Sequence, residues 1–206
     1  GNTHPAAAFA HWEISGEKVA YAAEHTFGPV CFSQYTLHKG TLKLTAQLAP
    51  VEQIENHRIS LQIEENGQWK TLQERSLDYM GRTAQFRVEE WTKQEAVPYR
   101  ILLELPLKDG GKAFTYEGTI AQEPVKADDV KVAVFSCNAD HGFPDQEVTD
   151  NVNKQQPDLA VFLGDQYYEG TGGFGIQTSS VEKAALDFLH KWYMFGWSYR
   201  EIFRNI

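Results

Sequence analysis

The first half of the chain alternates apolar and polar residues, as strands do when one face packs on a core and the other meets water. The run TLKLTAQL at residues 41–48 alternates without a fault. Three further stretches behave in the same way, at residues 57–64, 84–88 and 99–105. Asn66-Gly67 and the DGG at 109–111 are turn signals between such runs. Several short strands at this spacing favour an antiparallel β-sandwich, and no helix is predicted before residue 120.

The pattern changes after the polar segment 124–129, which we interpret as a linker. Residues 130–135 and 159–163 are nearly continuous apolar runs. Strands of a parallel sheet that are buried on both faces lose their alternation in this way. The two runs therefore predict a pair of buried parallel strands.

Residues 145–156, between the two apolar runs, are mostly polar and are predicted to form a helix. Val148 and Val152 lie four residues apart on one helical face, and Pro144 and Pro157 stand where such a helix would begin and end. Strand, helix and strand with short connections form a βαβ unit.

A second helical pattern begins near Ser180 and carries a broad apolar stripe. The sequence stops at Ile206 without the Gly or Asn that commonly caps a helix, so we expect a truncated chain. The predicted fold is therefore mixed. An N-terminal β-sandwich domain spans residues 1–126, and the first part of an α/β domain spans residues 127–206.

The chain is acidic, with a formal net charge of −9. Residues 127–206 hold six Lys and Arg against twelve Asp and Glu. Because an acidic chain repels the phosphate backbone, we do not expect non-specific nucleic-acid binding. The acidic part can attract cations or can be an ordinary solvated surface, and charge alone does not separate these interpretations. No apolar run approaches the roughly 20 residues of a membrane-spanning helix.

Candidate chemistry follows the two apolar runs, where Cys137 comes after the first and Asp165 after the second. Ligands of open α/β sheets bind beyond the carboxyl ends of the strands. If the strands are neighbours, roughly 4.8 Å apart, both side chains are close enough to share one ion. Each residue alone has a plainer interpretation, since Gly-Asp is ordinary turn chemistry and a lone Cys is often a small buried apolar residue.

Other residues near these loops are weaker candidates. Tyr168 follows Asp165 by three positions, although a tyrosine is more often a core or surface residue than a ligand. Three further residues can contact the metal ligands without binding the metal themselves, or can lie near a substrate: Asn138, Asp140 and His141.

The two cysteines, Cys31 and Cys137, are too few for a disulfide framework. They can pair in an oxidising compartment, but their contexts suggest separate domains.

Two motifs carry a resemblance to a known family. Ser136-Cys137-Asn138 and the GDQYYE at 164–169 resemble the first two metal motifs of the alkaline phosphatase D (PhoD-like) family of calcineurin-like metallophosphoesterases. The Asp-x-x-Tyr element is shared with purple acid phosphatases. The FLHKWYMFGW at 188–197 resembles the helix before the next catalytic motif. A β-sandwich ahead of the catalytic domain is also the family arrangement.

The resemblance implies a phosphoric ester hydrolase, either a phosphomonoesterase or a phosphodiesterase, that uses two metal ions. It implies that Cys137 and Tyr168 bind Fe(III) and that Asp165 bridges it to a divalent ion, with Ca²⁺ as the expected one. It also implies a periplasmic or extracellular location, although this sequence contains no export signal, which has either been removed or was not included in it.

The charges of the ligands agree with this assignment, in which Cys137 and Tyr168 bind Fe(III) and Asp165 binds both ions. Asp is already ionised at pH 7, whereas Cys and Tyr must lose a proton to bind as anions. Calcium and magnesium, which favour neutral or carboxylate oxygen, give little reason for that loss, but a strongly Lewis-acidic trivalent ion does.

The family completes its site with an Asn or Asp-His pair and further histidines. After the linker this sequence has only His141 and His190, and neither matches those motifs. We therefore expect the 206-residue chain to be an N-terminal fragment that binds metal weakly and hydrolyses little or nothing.

Two alternatives fit the same sequence. The sandwich can be a carbohydrate- or protein-binding module attached to an incomplete α/β part, with Trp12 and Trp69 as candidate contact residues. It can also serve only as a scaffold for the catalytic domain. The sequence makes no prediction of the oligomeric state.

Overall fold

The computed structural model describes residues 13–21, 26–51, 58–108, 110–124 and 129–206. Trp12 and most of the predicted linker lie outside the described residues, as does Asp109 of the second turn signal. The structure is mixed and rich in antiparallel sheet.

Seven antiparallel strands form two sheets in the described part of residues 1–124. The three-stranded sheet has the order β1-β2-β5, with β1 (Val30–His38), β2 (Thr41–Leu48) and β5 (Thr83–Val88). The four-stranded sheet has the order β4-β3-β6-β7, with β3 (Arg58–Glu65), β4 (Gln68–Ser76), β6 (Val97–Leu107) and β7 (Gly110–Ile120). Apolar side chains of both sheets belong to one buried core, which is consistent with a β-sandwich.

The four alternating runs predicted from the sequence are strands β2, β3, β5 and β6. The turn signal Asn66-Gly67 joins β3 to β4, and both residues have positive φ, 53° and 76°. A two-residue hairpin loop of this kind needs positive φ at both positions, which Asn-Gly tolerates better than other pairs.

The prediction that β3 has one face in water is wrong. Ser60 and Gln62, on its polar side, are buried. The reason is the central position of β3, because side chains of both neighbouring strands lie over it. The Gln62 amide donates to Thr71 Oγ1 (2.8 Å) and accepts from Arg100 Nε (2.6 Å).

The two apolar runs of the second half form strands β8 (Val132–Phe135) and β9 (Leu159–Phe162), which pair in parallel. The predicted helix between them is α1 (Gln146–Gln155). The predicted adjacency of the two strands is therefore confirmed.

The prediction that β8 and β9 are buried on both faces is wrong. On one face Phe135 and Phe162 stack, with ring centroids 4.5 Å apart, and belong to the core. On the other face Val132, Val134 and Leu159 are 44%, 58% and 47% exposed. An unbroken apolar run indicates a strand that can be covered on both faces. In the described part of the chain, however, only one face of β8 and β9 is covered.

Two C-terminal helices, α2 (Val181–Ser198) and α3 (Arg200–Phe203), pack against β1. Helix α2 begins where the sequence predicts, near Ser180, and the Ser180 side chain caps it by accepting a hydrogen bond from Lys183 N–H. Gly196 permits the close approach, because a Cβ there would lie 2.0 Å from Phe32 Cζ.

The core crosses the predicted domain boundary, since Phe195 and Phe203 of these helices join the same buried cluster as Phe32. The predicted apolar stripe of α2 is only partly buried, because Leu186 and Phe188 are exposed. Among the described helices, none has the length and apolarity that a membrane crossing requires.

Candidate metal centre

The loops that follow β8 and β9 leave the sheet together. Leu163 N–H donates to Phe135 C=O (2.9 Å), which continues the pairing one step beyond the strands. Asn138 N–H donates to Asp165 C=O (2.8 Å), which ties the first loop to the second. Cys137 and Asp165 therefore emerge side by side at the carboxyl end of the parallel pair.

Both candidate ligands have an uncommon backbone conformation. The φ angles of Cys137 and Asp165 are 59° and 53°, in the left-handed region that non-glycine residues rarely adopt. Such conformations cost about 1–3 kcal/mol each and persist only where the surrounding structure holds them, often at functional sites.

Three candidate side chains meet at one carboxylate oxygen. Cys137 Sγ lies 3.6 Å from Asp165 Oδ2, and Tyr168 Oη lies 3.2 Å from the same atom. All three residues are exposed to solvent. The thiol and the phenol therefore both donate to the carboxylate, and an ion can reach all three groups.

These separations fit a shared metal ion. Bonds from first-row metals to sulfur and oxygen are about 2.0–2.3 Å long, so two ligands of one ion lie at most about 4.4 Å apart. Both distances to Asp165 Oδ2 are shorter than this limit. A thiolate and a phenolate beside one carboxylate suit a transition-metal ion better than a hard cation such as Mg²⁺.

Tyr168 is held in place by its own loop. Its N–H donates to Thr171 Oγ1 (3.0 Å), and Thr171 is buried. The next residue, Gly172, donates its N–H to the Asp140 carboxylate (3.0 Å). These contacts connect the Tyr168 loop to the segment that follows Cys137.

The pKa of Tyr168 is raised to about 12, first by loss of hydration and then by its hydrogen bonds to Asp165 and Cys137. The phenol is therefore protonated at neutral pH. Binding of a metal ion as phenolate must displace that proton, so the affinity for the ion should increase with pH.

The weaker candidates have other positions. Asp140 accepts a hydrogen bond from Gly172, and His141 is exposed on the 3-10 turn Asp140–Gly142. Within the described ranges, no group of three or more His, Cys, Asp or Glu side chains could hold an ion. The candidate centre thus consists of one thiol, one carboxylate and one phenol.

Asn138 is buried and has a partner that the sequence did not predict. Tyr199 Oη lies 2.8 Å from Asn138 Oδ1 and 2.8 Å from Asp145 Oδ2. Burial, followed by the hydrogen bond to Asp145, raises the pKa of Tyr199. No local pattern marks this contact, because Tyr199 and Asn138 are 61 positions apart.

The two cysteines do not form a disulfide, because both are free, with Cys31 buried and Cys137 exposed. Trp69, the candidate contact residue of the binding-module alternative, is half-buried and has the Arg100 guanidinium 4.5 Å above its ring.

Comparisons with protein-family models, with curated proteins and with solved structures found no match. The relation to PhoD-like phosphatases therefore remains a prediction from the motifs at 136–138 and 164–169. The geometry of the site is independent of that prediction.

Proposed function

We propose that this chain supplies the first metal ligands of a phosphoric ester hydrolase. In this proposal Cys137, Asp165 and Tyr168 hold one metal ion, and Asp165 bridges it to a second. The observation that carries the proposal is the approach of Cys137 Sγ and Tyr168 Oη to the same Asp165 oxygen, at 3.6 and 3.2 Å.

The types of ligand support Fe(III) as the first ion and a divalent ion, Ca²⁺, as the second. A thiolate and a phenolate suit the trivalent ion, and the bridging carboxylate suits both. Two ions bound in this way would supply Lewis acidity for the hydrolysis of a phosphate monoester or diester. The proposed location is the periplasm or the cell exterior.

The three proposed ligands differ in whether they must lose a proton to bind the metal. Asp165 binds without releasing a proton, because a carboxylate is ionised at neutral pH. Cys137 and Tyr168 release their protons on binding, and the raised pKa of Tyr168 extends the dependence of metal affinity on pH to about pH 12. We therefore expect metal affinity to rise with pH.

Removal of the thiol tests the ligand assignment. We expect Fe(III) to bind the wild-type chain weakly, and titration with Fe(III) should produce visible absorption from a ferric phenolate. Cys137→Ala should weaken the binding of Fe(III) further, and Tyr168→Phe should abolish the visible absorption. Cys31→Ala is the matched control, because Cys31 lies buried in the sandwich core. Unchanged affinity for Fe(III) in Cys137→Ala would sink the assignment.

An activity assay tests whether this chain supplies enough ligands for both metal ions. Among the described residues of this site, Asp165 is the one proposed ligand of the second ion. We therefore expect the 206-residue chain to hydrolyse an aryl phosphate slowly or not at all, even when Fe(III) and Ca²⁺ are supplied. Fast metal-dependent hydrolysis by this chain would contradict the proposed ligand set.

A further inference from the structure

We propose that Tyr199 is a positioning residue for the candidate metal centre, and that it acts through Asn138 on the loops that carry Cys137 and Asp165. This inference rests on the proposed function, because it concerns the same ligands. Tyr199 itself touches none of the three ligand side chains in the described contacts.

Asn138 connects the two ligand loops. It follows Cys137 directly in the sequence. Its backbone N–H donates to Asp165 C=O (2.8 Å), and its side-chain Nδ2 lies 3.3 Å from the same oxygen. One residue therefore ties the loop of the thiol to the backbone of the residue that carries the carboxylate.

Tyr199 completes the hydrogen bonding of Asn138. The remaining polar atom of the Asn138 side chain, Oδ1, lies 2.8 Å from Tyr199 Oη. Because Asn138 is buried, loss of this hydroxyl would leave a buried acceptor without its partner. The amide would then be free to rotate away from Asp165.

The ring of Tyr199 is itself fixed beneath the ends of both strands. Its centroid lies 5.4 Å from that of Phe135 and 5.4 Å from that of Phe162, the last residues of β8 and β9. Phe195 packs against a third side at 5.1 Å. The hydroxyl is thus held at a defined position relative to the points where the ligand loops begin.

Asp145 extends this connection to α1. The Tyr199 hydroxyl has one proton and lies 2.8 Å from both Asn138 Oδ1 and Asp145 Oδ2, so the two acceptors share it. Asp145 is the residue that precedes α1. Tyr199 therefore joins the beginning of α1, the Cys137 loop and the C-terminal helices.

Loss of the Tyr199 hydroxyl should affect the backbone conformation of the two ligands Cys137 and Asp165. Cys137 and Asp165 both have left-handed φ angles, which relax unless their surroundings hold them. Groups that orient metal ligands typically change metal affinity by roughly 10–100-fold when they are removed. We expect an effect of this size from the loss of the Tyr199 hydroxyl.

The test compares Tyr199→Phe with Asn138→Ala and with the control Tyr193→Phe. Tyr193 lies on α2, and its hydroxyl donates to Leu48 C=O (2.5 Å), away from the metal loops. Co²⁺ is the probe, titrated through the charge-transfer absorption of a cobalt thiolate. We expect roughly 10–100-fold weaker binding in the first two variants and no change in the control. The double variant Tyr199→Phe/Asn138→Ala should be no weaker than the worse single variant, because both changes break one connection.

A second measurement needs no metal. Amide hydrogen exchange at position 138 should be at least about tenfold faster in Tyr199→Phe than in wild type, and unchanged in Tyr193→Phe. Equal exchange and equal cobalt affinity in the two Phe variants would overturn the inference. If Tyr199→Phe does not fold, unchanged affinity in Asn138→Ala would overturn it. Faster exchange at position 138 without cobalt or iron binding by any variant, wild type included, would refute the proposed function and the metal-related part of this inference, and would uphold only the connection between Tyr199 and the Asn138 loop.

Discussion

The antiparallel sheets and the parallel pair β8–β9 are built from similar apolar residues but are enclosed to different degrees. Leu42 of β2 and Ile101 of β6 are fully buried. Val134 of β8 and Leu159 of β9 are about half exposed, at 58% and 47%. Hairpins pair strands that are close in sequence, and two such sheets cover each other, whereas a parallel pair depends on segments from elsewhere in the chain. The candidate ligands lie in the less enclosed region.

The seam between the two regions, where the C-terminal helices pack on the strands of the sandwich, is well packed. Gly196 on α2 lies against the Phe32 ring, and Thr119 N–H of β7 donates to Arg204 C=O (2.9 Å). The less enclosed region is therefore attached to the sandwich through helices α2 and α3. Its uncovered face is one side of the parallel pair β8–β9. Four measurements on the two regions follow from this difference in enclosure.

The largest expected difference is in thiol reactivity. Cys137 should react quickly with a thiol reagent, because it is exposed. Cys31 should react at least about a thousandfold more slowly, because the reagent reaches it only when the sandwich opens. Labelling followed by mass spectrometry measures both rates, and labelling in denaturant is the control. Fast labelling of both cysteines in the native protein would show that the sandwich is not the closed region.

Truncation of one leucine in each region should give unequal losses of stability. Leu42→Ala leaves a cavity in a closed core and should cost about 2–5 kcal/mol of the free energy of unfolding. Leu159→Ala removes a half-exposed side chain and should change it by no more than about 0.5 kcal/mol. Urea unfolding measures both. Similar losses would mean that the open face of β8–β9 is covered in solution.

The seam can be tested by adding one methyl group. Gly196→Ala should destabilise the protein by about 1–3 kcal/mol, because the new Cβ meets the buried Phe32 ring. Gly111→Ala is the matched control, because a Cβ there meets no atom within 4 Å. Thermal unfolding of the two variants gives the comparison. An unchanged midpoint for Gly196→Ala would indicate that α2 does not pack closely on β1.

The smallest effect is expected from the hydrogen bond across the seam. Tyr193→Phe should cost about 0.5–1.5 kcal/mol at pH 8, because it removes the bond to Leu48 C=O. Burial raises the pKa of Tyr193 to about 12, whereas the unfolded phenol ionises near 10. The stability that the neutral phenol contributes is therefore present below about pH 10 and is lost towards pH 12.

Urea unfolding at a series of alkaline pH values follows this loss. The wild type should lose more stability than Tyr193→Phe between about pH 10 and pH 12, because the variant lacks this ionisation. Parallel curves for the two proteins would contradict the burial of the hydroxyl.

The strands that alternate cleanly could be predicted, and those that do not could not. β2 has an apolar side on the core and a mostly polar side outward, so its period of two is visible in the sequence. β4 lies at a sheet edge and is largely exposed, so polar residues occupy both of its faces. The first four residues of β1 are all buried, so its pattern does not alternate there either.

The residue types and their order along the chain were enough to predict four of the seven antiparallel strands that the structure describes, the two parallel runs and the residues that follow each run. These features depend on local periodicity and on which residues can turn or cap a helix. Packing of distant segments determines that one face of β8–β9 is open, that Ser60 and Gln62 are buried, and that Tyr199 contacts Asn138. Such contacts join residues far apart in sequence, and their energy depends on what packs above each side chain, which no local pattern records.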